Sequence, residues 1–303
     1  MAKQVVAVLG GTGQQGGGVV DALLGAGEFA VRVASRDPAS DASRALAARG
    51  VEVVRADLLD PRSLREAFRG AHGAFVVTSF WDPAQRSGET EIGMAAVEAA
   101  RAAGVEHLIW STLPDSEKLT DGRLKVAHFT GKARVDAAVK SAGFGRHSFV
   151  MAAMYFQNFI TMMAPAPLPN GGRGWVVPID PAARVVHAVD VTEVGRAVAA
   201  AFAAGDKLPD GSYLGVCGGV YSFNDFVATL NAQGHKLEVL QVPPDAYDGL
   251  FPGAYEIREM FEYFAEQTYF GPERERYIAA TNALVPGGLT NFADWARTHM
   301  KAA

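Results

Sequence analysis

The amino-acid sequence predicts an α/β fold: a doubly wound parallel sheet followed by a smaller C-terminal α+β lobe. Three observations carry this. Short β-branched runs alternate with alanine-rich stretches of helical periodicity through the first half of the chain. The runs are almost wholly apolar, as strands covered by helices on both faces must be. A glycine-rich turn, Gly10-x-x-Gly13-x-x-Gly16, joins the first run to the first helical stretch.

The predicted strands are Val5–Leu9, Ala30–Ser35, Val51–Ala56, Ala74–Thr78, His107–Ser111 and His147–Met151. Between them lie predicted helices at 16–26, 41–49, 61–69, 86–103 and 125–142. Asp60-Pro61 supplies an N-cap with proline at the first helical position. Gly50, Gly104 and Gly143 each follow a helix, where a left-handed residue ends it. Strand–helix–strand alternation demands right-handed crossovers between parallel strands.

The pattern changes after Met154, so the division is residues 1–154 for the nucleotide-binding part and 155–303 for the smaller lobe, with strands of the latter free to return to the main sheet. Pro165 to Gly172 reads as loop. Val185–Val189, Tyr213–Val216 and Lys236–Val242 read as strands. Asp190 to Glu193 reads as a capping box, and Ser222 to Asp225 as a weaker one.

Composition narrows the function. A net charge of −5 and the lack of a basic run argue against direct nucleic-acid binding. The single cysteine, Cys217, permits neither an intramolecular disulfide nor a cysteine metal cage, and the histidines lack ligand spacing, so no metal is expected. The first apolar run is too short for a signal-peptide core or a membrane span, which predicts a cytoplasmic protein without membrane contact.

In the glycine motif each glycine has a mechanical task. Gly10 permits the turn, Gly13 lets backbone approach a pyrophosphate, and Gly16 brings the helix onto the strand. The helix N-terminus then offers unpaired N–H groups to the phosphates. Gly17 and Gly18 extend the series and suggest a ligand in close approach, since glycine inside a helix costs about 0.5–1 kcal/mol relative to alanine. The second strand ends Ser35-Arg36, and an arginine there accommodates a 2′-phosphate, favouring NADP(H). Asp37, one residue later, leaves a ribose contact open. Asp57, at the end of the third strand, reads either as a contact to the adenine edge or as a loop cap.

Short-chain dehydrogenase/reductases place Tyr-x-x-x-Lys on the helix after the fifth strand. Here that position reads Ala127-His128-Phe129-Thr130-Gly131-Lys132, with lysine kept and histidine in the tyrosine's place. The chain resembles the NmrA-like branch of the atypical members of that superfamily, and within it the NADPH-sensing HSCARG-like proteins. The segments that carry the resemblance are "GGTGQQGG", "RVASRDP", "FVVTSFW", "GRLKVAHFTGK", "MYFQNF" and "FPGAYEIREMFEYF". The resemblance implies NADP(H) as cofactor. It implies cofactor contacts from Gly10, Gly11, Thr12, Gly13, Gln14, Gln15 and Gly16 in the first turn, and from Arg36, Asp57 and Leu58 at the next two strand ends. It extends them to Thr78, Ser79 and Phe80, to Lys132, and to Tyr155, Phe156, Gln157 and Asn158 near the nicotinamide. It also implies a homodimer or a protein partner whose contacts follow the NADPH/NADP⁺ ratio.

His128 and Lys132 are the catalytic candidates. An imidazole exchanges protons near neutral pH, so His128 reads either as a general acid/base or as a structural and cofactor-positioning residue. Two functions follow. The missing tyrosine and intact nucleotide turn favour a redox-responsive sensor with little turnover. The alternative is an NADPH-dependent reductase of a small carbonyl, quinone or imine. Its apolar wall would come from Phe80, Trp81, Met154, Tyr155, Phe156 and the aromatics of Tyr255–Phe264.

Overall fold

A computed structural model describes residues 2–301. The main sheet takes β1 (Val5–Val8), β2 (Ala30–Ser35), β3 (Glu52–Arg55), β4 (Gly73–Val76), β5 (His107–Ser111) and β6 (Arg146–Ala152) from the first half. Between them run α1 (Gln14–Ala26), α2 (Asp41–Ala48), α3 (Pro61–Phe68), α4 (Glu89–Ala102), the short α5 (Ser116–Leu119) and α6 (Ala127–Ser141). The second half adds β7 (Met154–Tyr155), β8 (Ala166–Pro167), β9 (Arg173–Val177), β10 (Val186–Val189), α7 (Val194–Ala204), β11 (Ser212–Val216) and β12 (Gly219–Tyr221). It ends with α8 (Phe223–Ala232), β13 (Glu238–Gln241), α9 (Pro244–Asp248), α10 (Ala254–Gln267), α11 (Arg274–Leu284) and α12 (Phe292–His299).

The seven strands of the main sheet are ordered β3-β2-β1-β4-β5-β6-β11, and every neighbouring pair is parallel. The chain direction across the sheet reverses between β1 and β4. In doubly wound sheets the ligand crevice opens at the carboxyl ends of the strands at this point. β4 and β5 are buried along their whole length, as central strands under helices on both faces require.

The local chemistry explains the boundaries. Asp60 caps α3 by accepting from Arg62 N, with Pro61 in its first turn. Gly50, Gly104 and Gly143 take positive φ after their helices, where a side chain would be strained. Two caps differ from expectation. Asp190 does accept from Thr192 N, but Glu193 does not reach back; its carboxylate turns to Arg196 and Thr290 N. A 3₁₀ turn therefore precedes α7. The weaker-looking Ser222–Asp225 pair forms a full reciprocal box.

The proline-rich stretch read as loop carries β8, which pairs antiparallel with β9, and the turn between them places Gly171 at positive φ. β9 pairs parallel with β13, and β7, β10 and β12 form a second three-stranded sheet. A buried aromatic cluster of Phe156, Phe159, Phe226, Phe292 and Trp295 joins α8 and α12 to these small sheets, each ring pair adding about 0.5–1.5 kcal/mol beyond area burial. β11 and α7, both from beyond residue 155, lie on the main sheet.

Gly18 has a different reason from the one its position suggests. A Cβ there would lie 2.5 Å from Thr192 O, and one on Gly195 of α7 would lie 1.9 Å from Gly18 O. The two glycines let α1 and α7 touch backbone to backbone. Gly18 answers to helix packing and not to a ligand.

Candidate functional site

The turn after β1 is built as its spacing demands. Gly10 sits at φ +67 and its carbonyl accepts from Gly13 N at 2.8 Å. A Cβ on Gly16 would lie 2.2 Å from Gly10 O, so only glycine closes this turn. Gly13 is the N-cap of α1 and offers no side-chain cap, which leaves the helix's first N–H groups for an anion. These features fit a dinucleotide pyrophosphate.

Two cavities open beside this turn. The smaller, about 130 Å³, is lined by Gly10, Thr12, Ser35, Arg36, Asp57, Leu58 and, from the loop after β4, Asp82 and Gln85. Arg36 is largely exposed and its guanidinium stands 3.7 Å from Asp82. Asp82 is held below the usual carboxylate range chiefly by the backbone N–H of Ala84 and the Gln85 side chain. Asp57 lines the cavity and also caps its own loop by accepting from Leu59 N.

The larger cavity, about 850 Å³, lies past the turn at the ends of β4, β5 and β6. Its inner wall carries Gln14, Gln15, Thr78, Ser79, Ser111, His128 and Lys132. Ser111 donates to Gln15 Oε1 at 3.0 Å. The outer wall comes from the second half of the chain: Met154, Tyr155, Asn158, Met162, Met163, Leu168, Trp175, Tyr247, Met260 and Tyr269. Phe80, Trp81, Leu250, Phe251 and Tyr255 also line it, and Trp81, Met162, Leu250, Phe251 and Tyr255 are solvent-exposed. Burial pushes the Tyr155 hydroxyl up to about 12, which keeps it a neutral donor.

The two ion pairs on the inner wall both involve α6. Lys132 Nζ donates to Thr78 O at 2.7 Å and to Thr78 Oγ1 at 3.0 Å, and forms an ion pair with Glu89 Oε1 at 2.8 Å. The ammonium is thus held by partners inside the protein. Burial pulls this lysine below its usual value, and Glu89 opposes the shift. One turn earlier, His128 Nδ1 lies 2.5 Å from Glu256 Oε1 of α10, and both side chains are buried. The ring packs against Phe80 and Trp81, with centroids 5.6 and 5.2 Å away. Arg86 lies over both of those aromatics at 5.4 and 5.7 Å.

The structure brings most predicted residues to these cavities. Phe156 and Gln157 stand apart from both. Phe156 is fully buried against Phe292 and Trp295, and Gln157 donates to Asp190 Oδ1 and accepts from Val191 N. Gly11 lines neither cavity, and a Cβ there would lie 2.6 Å from Val33 Cγ2. Of the Tyr255–Phe264 segment, Phe261, Tyr263 and Phe264 are core, while Tyr255, Glu256, Ile257 and Met260 line the cavity. Sequence reasoning missed Glu256, Glu89 and Trp175. Glu89 and Glu256 were legible only as carboxylates whose positions the helical pattern turns inward, a weak sign until a cation stands opposite.

Fold and turn together define the class: a doubly wound α/β protein of the dinucleotide-binding kind. The chain belongs to the NmrA-like family, whose sequence profile matches residues 2–296. Among relatives, an NmrA-like family domain-containing oxidoreductase of Aspergillus hancockii, hkm9, is 40% identical over 172 residues, covering 55% of this chain and 51% of that protein. An NmrA-like family domain-containing protein of Dictyostelium discoideum is 33% identical over 170 residues, covering 54% and 55%. The chain spans about half the length of the curated relatives it matches. NmrA, described as a negative transcriptional regulator, superposes with a TM-score of 0.81 at 25% identity, covering 98% of this chain and 95% of the other. An NADPH-dependent quinone oxidoreductase of Escherichia coli superposes at 0.76 with 18% identity, covering 97% and 99%, and shows the fold alone. Among the described residues, no helix is long and apolar enough to cross a membrane and no cluster of potential metal ligands occurs.

Proposed function

We propose that this protein binds NADP(H) and works as an NADPH-dependent reductase of an apolar organic molecule. One observation carries the reading: a large, mostly apolar cavity runs from the exposed aromatics at its mouth to a buried histidine beside the nucleotide turn. Ligand sites are typically such cavities with a few convergent polar groups.

Bound NADPH would supply the hydride. The chain's own residues would do the rest. The turn from Gly10 to Gln15 with the α1 N-terminus would hold the pyrophosphate, and Arg36 the 2′-phosphate. The apolar walls would exclude water from the reacting carbon. His128 would give a proton from Nε2 to the substrate heteroatom and recover one from solvent. Lys132 would act through Thr78 and Glu89, whose oxygens already take its hydrogens, by fixing the end of β4.

A sensor reading also has an observation behind it. With Lys132 spent internally and no tyrosine at position 128, the superfamily's Tyr/Lys chemistry lacks both members. A protein partner or a second copy of the chain would then be the readout.

The test is a calorimetric titration with NADPH, NADP⁺ and NADH, run beside NADPH oxidation against apolar carbonyls, quinones and imines. Tighter binding of NADPH than NADH is expected. Turnover of at least one class should fall about a hundredfold in His128→Ala. Tight NADPH binding with no turnover on any class would overturn the reductase and leave the sensor.

A further inference from the structure

Helix α6 begins poorly. Its N-cap is Val126, which has no side chain able to accept a hydrogen bond. The first four N–H groups of any helix need partners from elsewhere. Val126 N donates to Ser116 Oγ of α5 at 3.1 Å, and His128 N donates to Glu256 Oε1 of α10, more than a hundred residues on, at 3.1 Å. Just before the helix, Lys125 N donates to Glu259 Oε2 of α10 at 2.9 Å. The same Glu256 oxygen takes the hydrogen of His128 Nδ1 at 2.5 Å. A further pair, Arg123 with Glu266, ties the same two segments.

We propose that Glu256 is the positioning residue of His128: it fixes the imidazole in the tautomer with hydrogen on Nδ1 and so leaves Nε2 as the free nitrogen for the cavity, the atom that takes up a proton from solvent and passes it to the substrate heteroatom. The role rests on the reductase reading for its effect on rate, but not for its effect on the ring. A carboxylate on one ring nitrogen decides which nitrogen is free. Nε2 has no hydrogen-bond partner among the described residues, and His128 lines the cavity.

Glu256 is suited to the task because its charge is anchored twice. Burial alone would push its carboxyl up, yet the His128 ring and the backbone N–H groups of His128 and Ala127 hold it below the usual range. The positive end of the α6 dipole adds to this. The other charged groups near the ring are committed elsewhere: Lys132 to Glu89 and Thr78, and Arg86 to the outer faces of Phe80 and Trp81. Among the described residues, Glu256 alone forms an ion pair with the imidazole.

The arrangement also makes the proton donor a joint product of two stretches of chain. His128 lies on the nucleotide-binding half. Its orientation comes from α10, whose neighbouring residues Tyr255, Ile257 and Met260 form the cavity wall. A shift of α10 that changed the substrate wall would move the carboxylate with it.

The test reads the ring directly. ¹H–¹⁵N correlations of the His128 imidazole are recorded in the intact protein with NADP⁺ added, for wild type, Glu256→Gln and Glu256→Ala. The wild type should hold its neutral-ring proton on Nδ1. Glu256→Gln, isosteric and still able to accept, should keep fold and tautomer but lose about tenfold in kcat with KM unchanged. Glu256→Ala should release the ring to the Nε2–H form that free histidine prefers, and lose about a hundredfold in kcat. NADPH affinity should stay within about twofold in both, because neither change touches the nucleotide turn. A wild-type proton on Nε2, or a tautomer indifferent to Glu256→Ala, would overturn the assignment. If no substrate turns over but the tautomer follows Glu256, the positioning stands and the reductase reading falls.

Discussion

Replacing Lys132 by methionine separates two roles for this lysine. Lysines at the equivalent place in short-chain dehydrogenase/reductases hold the cofactor ribose, and the motif alone predicts the same here. In the structure its ammonium donates to Thr78 O and Thr78 Oγ1 and pairs with Glu89 Oε1. Glu89 is buried, and its Oε2 already lacks a partner. In Lys132→Met the carboxylate keeps only the Thr78 hydroxyl on its other oxygen. Removing one member of a buried pair costs about 3–5 kcal/mol, because the remaining charge stays desolvated. Methionine preserves most of the lysine stem, so little of the loss comes from packing. Neutralising the partner as well should recover most of it: Lys132→Met with Glu89→Gln should lie within about 1–2 kcal/mol of wild type, since replacing both members of a buried pair is often nearly neutral. Urea unfolding of the wild type, the two single variants and the double variant closes the cycle. A Lys132→Met cost below about 1 kcal/mol, the range of an exposed pair, would refute the strut. So would a double variant no more stable than Lys132→Met.

Three other outcomes follow from the same structure. Gly18→Ala drives a methyl into Thr192 O and should cost about 1–3 kcal/mol in urea unfolding while leaving NADPH affinity within about twofold; a stable protein that no longer binds NADPH would return Gly18 to the ligand. Arg36→Ala should weaken NADPH about tenfold or more without affecting NADH, whereas Asp82→Asn, by freeing Arg36, should tighten NADPH by up to about fivefold. Equal changes for both nucleotides in calorimetry would contradict this. Stability should also fall with acid. Burial, chiefly, holds His107 and His187 at about 4 against 6.5 unfolded, so both stay neutral in the folded protein while the unfolded chain takes up protons. The folded state is unpenalised above pH 6.5 and loses stability as pH falls toward 4, by about 2 kcal/mol per histidine at pH 5. A His107→Asn variant with the same pH slope as wild type would show that this histidine is not responsible.

The main sheet was legible because its cause is local. Apolar runs of strand length, bounded by Gly50, Gly104 and Asp60-Pro61, leave few alternatives, and Ala30–Ser35 and His107–Ser111 match to the residue. The nucleotide turn was legible for the same reason: Gly10, Gly13 and Gly16 act on one another within a few residues. What sequence could not show is cooperation at a distance. Gly18 meets Gly195, Lys132 meets Glu89, and His128 meets Glu256, each across a gap that no periodicity spans. Phe156 and Gln157 were read with Tyr155 and Asn158 as one segment, but a 3₁₀ turn sends the two middle members away from the cavity, Phe156 to the core and Gln157 to Asp190.

These distant pairs bear on why the histidine replaces a tyrosine at all. A tyrosine at this position is useful when a lysine one turn later lowers its pKa, and that requires a lysine with hydrogens to spare. Here Glu89, on α4, takes the ammonium, and Thr78 takes what remains. A phenol at position 128 would keep its proton at neutral pH, with nothing to draw it off. Imidazole exchanges a proton near neutrality without such help, provided a second group sets its tautomer. Glu256 is placed to be that group, and it comes from α10, outside the helix that carries the superfamily's motif. On the reductase reading, the two carboxylates and the histidine belong to one change: with lysine withdrawn into a strut, proton transfer would need a different acid and a different partner. If so, His128→Tyr should not restore turnover while Glu89 is present, and pairing it with Glu89→Gln should restore more than His128→Tyr alone, as measured by NADPH oxidation on whichever substrate class the wild type accepts. Recovery by His128→Tyr alone would mean that Lys132 still has hydrogens to offer, and that the strut does not govern the chemistry.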